Sequence, residues 1–326
     1  MTIAITGSTG HIASSLIPLL INRGYRVRGL YYEEKPADNF APQETVGGNL
    51  FDISSLEKLV HGCDVTIHCA ARISLNSNKD PLVYETNVKG TINIFNTSKQ
   101  AGIKRFIHIS SIHAYNQLPA DKLLDETSQY CSNKAALYDQ SKRDAELFVL
   151  QQSSAQMEVL VLNPTGIVGP YDYKPSLMGR AIMDIYNRKV PSLINAGFDF
   201  CDVRDVALAI LNAIEKGRKG QSYLLSGKWY SLSEIQHIIL GFKGDKSRIP
   251  VFPGWAGYLG LPFTGFLAAV KKQEPLYTRE SLSTLLHSNK KISSIKAADE
   301  LGYTCRPLYE TIEDLINWFK QTGCLA

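Results

Sequence analysis

The sequence predicts an α/β protein built on a doubly wound parallel sheet. Short apolar runs alternate with helical patterns as far as about residue 165, and we expect strands at 2–7, 26–32, 64–71, 105–111 and 158–164. This alternation is typical of βαβ units, whose parallel strands are covered by helices on both faces. After Pro164 the chain changes to mixed loops and helices, and the strand pattern returns near 198–205 and 223–226.

Residues 1–165 are therefore predicted to form one domain, with returns near 198–226. Residues 166–197 and 227–326 are predicted to form a smaller, interleaved C-terminal domain that binds the substrate. Two helix starts fit the capping-box pattern, in which Glu follows Ser by three residues. They lie at Ser54–Glu57 and Ser231–Glu234.

The composition narrows the class of protein. The 326 residues are 44% hydrophobic, which permits a large core, and 35 basic against 31 acidic residues give a net charge of +4. That charge is small and scattered, so we expect no nucleic-acid partner. The six cysteines show no metal-ligand spacing, which predicts reduced thiols, no metal site and a cytoplasmic protein.

The segment from Pro250 to Val270 is apolar and free of charge. Three prolines and four glycines interrupt it, whereas a membrane-spanning helix needs about 20 continuous apolar residues. We therefore expect no transmembrane span. An apolar flap over a substrate pocket is the preferred interpretation, and contact with a membrane surface is the alternative.

A glycine-containing turn joins the first predicted strand to the first predicted helix. Its sequence is Thr6-Gly7-Ser8-Thr9-Gly10-His11-Ile12-Ala13. Gly7 and Gly10 would allow the chain to turn tightly against a pyrophosphate, and the N-terminus of the following helix would favour its charge. Glycine turns are common, so a purely structural turn is the alternative. With the strand alternation, the turn predicts a Rossmann-type dinucleotide-binding domain.

Tyrosine is followed by lysine four residues later at Tyr31, Tyr130 and Tyr138. Such a pair lies on one face only where the chain is a regular helix. Tyr31 ends a predicted strand and Tyr130 lies in a predicted loop, whereas Tyr138 and Lys142 belong to a helical stretch over 135–150. We therefore select the pair Tyr138 and Lys142 over the pair that begins at Tyr130.

Ser111 ends the predicted strand 105–111, at the edge of the sheet where open α/β proteins bind ligands. It could hydrogen-bond a substrate oxygen while Tyr138 supplies or removes the proton. The charge of Lys142 would favour the tyrosinate and so lower the Tyr138 pKa towards the working pH. For His108 and His113 a packing or surface role is the preferred interpretation.

Short motifs along the whole chain carry a resemblance to a known family. They are the turn at 6–13, Asp52, Cys69-Ala70-Ala71, Asn87-Val88-Lys89-Gly90-Thr91, Ser110-Ser111, Tyr138-x-x-Ser141-Lys142 and the stretch 163–170. With these motifs the chain resembles the extended short-chain dehydrogenases/reductases. It looks most like their branch of dihydroflavonol reductases and 3β-hydroxysteroid dehydrogenases.

The resemblance implies an active site of Ser111, Tyr138 and Lys142. It also implies that Asp52 contacts the adenine, Ala70 and Ala71 the dinucleotide backbone, Lys142 the nicotinamide ribose, and Pro164 the nicotinamide face. The full implied set of cofactor-binding residues is Gly7, Thr9, Gly10, His11, Ile12, Tyr32, Asp52, Ala70, Ala71, Asn87, Lys142 and Pro164.

The end of the second predicted strand leaves the choice between NAD and NADP open. An acidic residue there would bind a ribose 2′-hydroxyl, and an arginine would accommodate a 2′-phosphate. In the dihydroflavonol-reductase pattern an arginine stands about where this chain has Tyr32, followed by Glu33 and Glu34. Arg28 or Lys35 could replace it.

The sequence thus predicts an NAD(P)-dependent oxidoreductase that acts on a carbonyl or secondary alcohol of a fairly apolar small molecule. A nucleotide-sugar epimerase or dehydratase that retains its NAD is the alternative, with Arg180 and Arg204 as candidates for binding a diphosphate. Asn163 weakens that alternative, because many nucleotide-sugar epimerases have arginine there. A non-catalytic regulator that senses NADP is a third possibility. The family resemblance implies a monomer or a homodimer.

Overall fold

A seven-stranded parallel sheet forms the centre of the protein. The computed structural model describes residues 1–36, 40–74, 76–259, 261 and 278–325. The strand order in the sheet is β10-β6-β5-β4-β1-β2-β3, and every neighbouring pair is parallel. The strands are β1 (Thr2–Thr6), β2 (Arg26–Tyr31), β3 (Glu44–Gly47), β4 (Val65–His68), β5 (Arg105–Ile109), β6 (Glu158–Pro164) and β10 (Ser222–Leu225). The predicted fold class is confirmed.

Helices cover both faces of this sheet. Apolar residues of α1 and α7 pack on one face, and those of α2, α4 and α5 pack on the other. The helices are α1 (His11–Asn22), α2 (Ile53–Val60), α3 (Pro81–Tyr84), α4 (Gly90–Gln100), α5 (Leu137–Gln151), α6 (Leu177–Tyr186), α7 (Val203–Lys216), α8 (Leu232–Gly241), α9 (Arg279–His287), α10 (Ile295–Leu301) and α11 (Leu308–Gln321). This double covering explains why the central strands are almost continuously apolar.

Two small sheets lie outside the large one. One has the order β11-β9-β7, and the other pairs β8 with β12. Their strands are β7 (Gly166–Val168), β8 (Leu193–Ile194), β9 (Gly197–Asp202), β11 (Lys228–Ser231) and β12 (Val251–Phe252). The predicted return near 223–226 does join the large sheet as β10. The return near 198–205 does not, because β9 pairs with β7 and β11 instead.

Of the two predicted capping boxes, the structure contains the one at Ser231 and not the one at Ser54. Helix α8 begins at a complete capping box, in which Ser231 Oγ accepts a hydrogen bond from the Glu234 backbone nitrogen at 3.2 Å. The capping box expected at Ser54 is wrong. The capping residue of α2 is Asp52, whose carboxylate accepts from the Ser55 nitrogen at 3.3 Å, so the helix begins before Ser54.

Within the apolar segment 250–270, positions 260 and 262–270 lie outside the described residues. The predicted flap over a substrate pocket therefore lies largely outside them. Within the described ranges, none of the helices combines the length and the apolar character that crossing a membrane requires. The division into two domains stays a prediction.

Candidate active site

The turn between β1 and α1 has the shape that a pyrophosphate requires. Gly7 has a φ of +69°, and a Cβ atom there would lie 2.9 Å from the backbone of Ala70. Gly10 begins α1 without a side-chain capping bond, and the first turn of this helix holds no acidic residue. The N–H groups of that turn therefore remain open to an anion, which the helix dipole also favours. The residues present fit the phosphates of a dinucleotide.

The side chains around this turn tie it to its surroundings. Thr6 Oγ1 accepts a hydrogen bond from the Ala70 nitrogen at 3.2 Å, which joins the ends of β1 and β4. His11 Nε2 lies 3.1 Å and 3.0 Å from the carbonyl oxygens of Gly169 and Pro170. The His11 ring therefore contacts the loop after β7. Thr9 and Ile12 are in the turn and the first turn of α1, where the sequence placed them.

Arg28 lies in the middle of β2, and its guanidinium is already paired. Its guanidinium donates to Glu44 Oε2 at 2.5 Å and to the His61 carbonyl oxygen at 2.7 Å. These contacts argue against Arg28 as the replacement for the missing arginine, and the choice between NAD and NADP stays a prediction. Tyr32 is 62% exposed, and Lys35 is also exposed.

Two further predicted cofactor residues have structural contacts of their own. The Asp52 carboxylate caps α2, as described above. Asn87 is buried, and its amide donates to the Arg72 carbonyl oxygen and to Ser141 Oγ, each at 3.0 Å. Asn87 thus joins the segment after β4 to α5. Contacts of Asp52, Ala71 and Asn87 with a cofactor stay predictions.

The three predicted catalytic residues converge where β5 meets α5. Ser111 follows β5 and is 7% exposed, and its Oγ accepts a hydrogen bond from the His113 nitrogen at 3.2 Å. Tyr138 lies in the first turn of α5, and its backbone nitrogen donates to Ser77 Oγ at 3.0 Å. Lys142 lies one turn later on the same face and is 4% exposed; its Nζ donates to the Ile109 carbonyl oxygen at 3.0 Å.

The competing pair at Tyr130 and Lys134 lies ahead of α5. Tyr130 forms an isolated bridge with Tyr115, and its hydroxyl donates to Glu146 Oε1 at 3.2 Å. The helical spacing that acid–base work requires is therefore present at Tyr138 and absent at Tyr130, as the sequence indicated.

Burial shifts the pKa values of Tyr138 and Lys142. It raises the pKa of Tyr138, with a further increase from Asp139 and an opposing decrease from the Ser111 hydroxyl. This is opposite to the expected lowering by Lys142, because desolvation of the phenolate outweighs the favourable interactions. Burial lowers the pKa of Lys142 to about 8, against the charge of Glu146, which raises it. The tyrosine is therefore protonated near neutral pH.

His113 packs against aromatic rings at the candidate site, which is compatible with its predicted packing role. Its Nδ1 lies 2.9 Å from Asp139 Oδ1, and its ring lies between those of Tyr138 and Phe198, at centroid distances of 5.5 Å and 5.8 Å. It therefore packs against the predicted catalytic tyrosine. His108 is buried and stacks on His68 at 5.4 Å, which agrees with the packing role.

Sequence reasoning missed Glu146. This side chain is completely buried and lies one turn after Lys142. An acidic residue four positions after the predicted catalytic lysine was the available signal, because both side chains then share a helix face.

The arginines proposed for a diphosphate have other partners. Arg204 donates to Asp202 Oδ2 at 2.7 Å and to Asp314 Oδ2 at 2.6 Å. Arg180 donates to the Pro175 carbonyl oxygen at 3.1 Å. The double pairing of Arg204 weakens the epimerase alternative.

Comparison with known proteins agrees with this geometry. Residues 3–226 match the model of the NAD dependent epimerase/dehydratase family. The chain is 27% identical to "Sterol demethylase protein B" of Methylococcus capsulatus, over 100% of both chains. It is 30% identical to "Putative dihydroflavonol 4-reductase" of Synechocystis, over 98% of this chain and 94% of that one.

Among solved structures, the crystal structure of gox2253 matches with a TM-score of 0.84 and 30% identity, covering 100% of this chain and 99% of that one. The predicted family is therefore confirmed. The chain belongs to the NAD dependent epimerase/dehydratase family, the extended short-chain dehydrogenases/reductases, and is an oxidoreductase of a family that uses NAD(P).

Proposed function

We propose that this protein is a reductase that uses NAD(P)H to convert a carbonyl group of a fairly apolar small molecule into a secondary alcohol. The observation that carries the proposal is the convergence of Ser111, Tyr138 and Lys142 at the end of β5, with the tyrosine protonated near neutral pH. The names of the relatives support a reductase, since they include a dihydroflavonol 4-reductase and, at 29% identity, a cinnamoyl-CoA reductase.

Most of the residues that would hold the cofactor lie at or after the C-terminal ends of strands of the large sheet. The turn from Gly7 to Ile12 binds the pyrophosphate, Asp52 the adenine, and Ala70 with Ala71 the dinucleotide backbone. Lys142 binds the nicotinamide ribose and Pro164 the nicotinamide. When bound, the nicotinamide supplies the hydride, and the protein's contribution is binding, orientation and proton transfer.

Tyr138 is the general acid in this proposal. Because burial raises its pKa, its hydroxyl keeps its proton at neutral pH and can donate it to the carbonyl oxygen. Ser111 holds the same oxygen by a hydrogen bond and so stabilises the negative charge that develops there. Lys142 fixes the cofactor ribose, and its positive charge lies on the same helix face as the tyrosine.

The apolar character of the substrate is inferred from two features. The Phe198 ring stacks on His113, which in turn contacts Tyr138. The segment 250–270, which begins at β12, carries no charged residue. Apolar walls around a few placed polar groups are typical of small-molecule sites.

The test combines cofactor binding with turnover. Purified and dialysed protein is titrated with NAD⁺, NADH, NADP⁺ and NADPH, and the preferred reduced cofactor is then offered with a panel of apolar ketones. We expect cofactor to be lost on dialysis and ketones to be reduced. Tyr138→Phe should abolish turnover and keep cofactor binding, whereas the control Tyr309→Phe removes an exposed hydroxyl and should change neither.

Three results would contradict the proposal. NAD that stays bound through dialysis would favour the epimerase or dehydratase. Near-normal ketone reduction by the Tyr138→Phe variant would remove Tyr138 from the mechanism. Cofactor binding without turnover on any carbonyl would instead favour the non-catalytic regulator.

A further inference from the structure

A buried carboxylate lies one helical turn beyond Lys142. Glu146 has no exposed surface and Lys142 is 4% exposed, and both belong to α5. Residues four apart on a helix point to the same face. A buried charge costs much free energy unless another charge or hydrogen bonds compensate it. The placement of the two residues therefore requires an explanation.

Glu146 is surrounded by hydrogen-bond donors. Its Oε2 accepts from Asn163 Nδ2 at 2.6 Å, and its Oε1 accepts from Ser222 Oγ at 3.0 Å. The hydroxyls of Tyr130 and Tyr115 also donate to Oε1, at 3.2 Å and 3.3 Å. Burial raises the pKa of the Glu146 carboxyl, and the bonds from Asn163, Ser222 and Tyr130 oppose that rise. These bonds favour the ionised carboxylate, which can accept all four.

Asn163 connects this carboxylate to the active site. The same Nδ2 that donates to Glu146 also lies 3.3 Å from the Ser111 carbonyl oxygen. Asn163 is the penultimate residue of β6, so its position is fixed by the central sheet. Glu146 is thus connected to Ser111 through Asn163 and lies on the helix that carries Tyr138 and Lys142.

The other titratable groups that face Lys142 carry no negative charge. Burial lowers the pKa of His68 to about 3 and lowers that of His108 well below its usual value, so both rings are neutral. Burial raises the pKa of the Cys69 thiol to about 12, and Tyr138 is protonated. Among the described groups around the Lys142 ammonium, Glu146 is the one that supplies negative charge.

We propose that Glu146 is a positioning residue of the active site, whose buried carboxylate is the counter-charge that keeps Lys142 protonated and whose bond to Asn163 fixes Ser111. The inference rests on the proposed function in one respect, namely that Lys142 binds the cofactor ribose. Glu146 itself contacts neither substrate nor cofactor in this scheme.

The sign of the expected effect follows from the environment of Lys142. Burial lowers its pKa to about 8, and Glu146 opposes that decrease. Replacing Glu146 with neutral Gln removes the opposing charge, so Lys142 loses its proton at a lower pH. Cofactor binding that depends on the ammonium group should then weaken at a lower pH as well.

The first experiment measures cofactor affinity against pH. The dissociation constant of the preferred reduced cofactor is measured by nicotinamide fluorescence between about pH 6 and pH 10, a range that spans the lysine titration. We expect affinity to fall near about pH 8 in the unmodified protein and about one pH unit lower in Glu146→Gln. The control is Thr66→Val, which removes a buried hydrogen bond to Ser98 Oγ of 3.0 Å on the same sheet.

The second experiment needs no ligand. Thermal unfolding is measured for Glu146→Gln, Lys142→Met and the double variant. If the two charges compensate each other, the double variant should lose less stability than the sum of the two single losses. This comparison remains informative if either single variant is too unstable for binding measurements.

Two outcomes overturn the inference. One is an unchanged pH midpoint in Glu146→Gln, and the other is strict additivity in the unfolding cycle. Either result with normal ketone reduction by the unmodified protein would leave the proposed function intact. A protein that reduces no carbonyl but shows the shifted midpoint and the non-additive cycle would support the charge pair and contradict the proposed reaction.

Discussion

Gly7 lies so close to Ala70 that a Cβ atom on residue 7 would be 2.9 Å from both the backbone nitrogen and the Cα atom of Ala70. The φ of Gly7 is +69°, in the region where side chains cause strain. Both constraints act at the point where β1 meets the end of β4. The shape of the predicted pyrophosphate site therefore depends on the absence of a side chain at position 7.

Replacing Gly7 with Ala should damage both stability and cofactor binding. We expect a loss of about 1–3 kcal/mol in the free energy of unfolding, because backbone strain and a steric clash add, and a weaker affinity for NAD(P). The matched control is Gly24→Ala. Gly24 also has a positive φ, +85°, but has open space around it, so only the strain should remain and the affinity should not change.

Lys35, rather than Arg28, should influence the preference for NADP. Arg28→Gln removes a guanidinium that is bound to Glu44 and to backbone carbonyl oxygens, so stability should fall while the ratio of NADPH to NADH affinities stays constant. Lys35→Ala should lower the affinity for NADPH relative to NADH. Calorimetric titration with both cofactors checks the prediction, and a changed ratio in Arg28→Gln would contradict it.

Asp52 should have two separable functions. As the capping residue of α2, its replacement by Ala should cost about 0.5–2 kcal/mol of stability. If it also contacts the adenine, the variant should bind the cofactor more weakly. Ser231→Ala removes the cap of α8 and should give a similar loss of stability without a change in affinity. Equal affinities in the two variants would restrict Asp52 to capping.

Asp199 should make the stability of the protein depend on pH. Burial raises its pKa from 3.8 to about 6, although the carboxylate accepts a hydrogen bond from the Gly227 nitrogen at 2.9 Å. A carboxyl group with a raised pKa contributes stability that is fully present below its unfolded pKa and is lost as the pH rises through about 6.

Asp199→Asn should therefore be more stable than the unmodified protein above that pH, by about 1–3 kcal/mol, and show no such gain near pH 4. Denaturant unfolding at the two pH values measures the difference. Asp125→Asn should behave in the opposite way, because the Thr127 hydroxyl and amide lower the pKa of Asp125. A gain that is independent of pH would exclude ionisation as the cause.

Most of the large sheet could be predicted because its strands are buried on both faces. In β1 and β4 the residues Ile3, Ile5 and Ile67 are all fully buried, and such apolar runs are visible in the sequence. Strand β3 was not among the predicted strands, since its residues alternate between half-buried and exposed. The sequence pattern indicated an extended segment near 198–205, but it did not indicate which strands pair with that segment. The pairing of β9 with β7 and β11 depends on contacts between residues far apart in the sequence.

The candidate site, like the fold, could be predicted only in part. Helical spacing alone indicated that Tyr138 and Lys142 share a face. The direction of the Tyr138 pKa shift was wrong, since it depends on how completely the surrounding segments bury the ring. The hydrogen bonds of Glu146 come from loops, β6 and β10, which converge only in the folded protein.

Strand β10 completes the large sheet beside β6, although the two strands are separated in sequence by β7, α6, β8, β9 and α7. During synthesis on the ribosome, β6 therefore emerges well before its outer neighbour. Its unpaired N–H and C=O groups then form an open edge that can join other chains. A fragment that ends at residue 165 contains six of the seven strands and leaves this edge open, so we expect it to aggregate where the full chain folds.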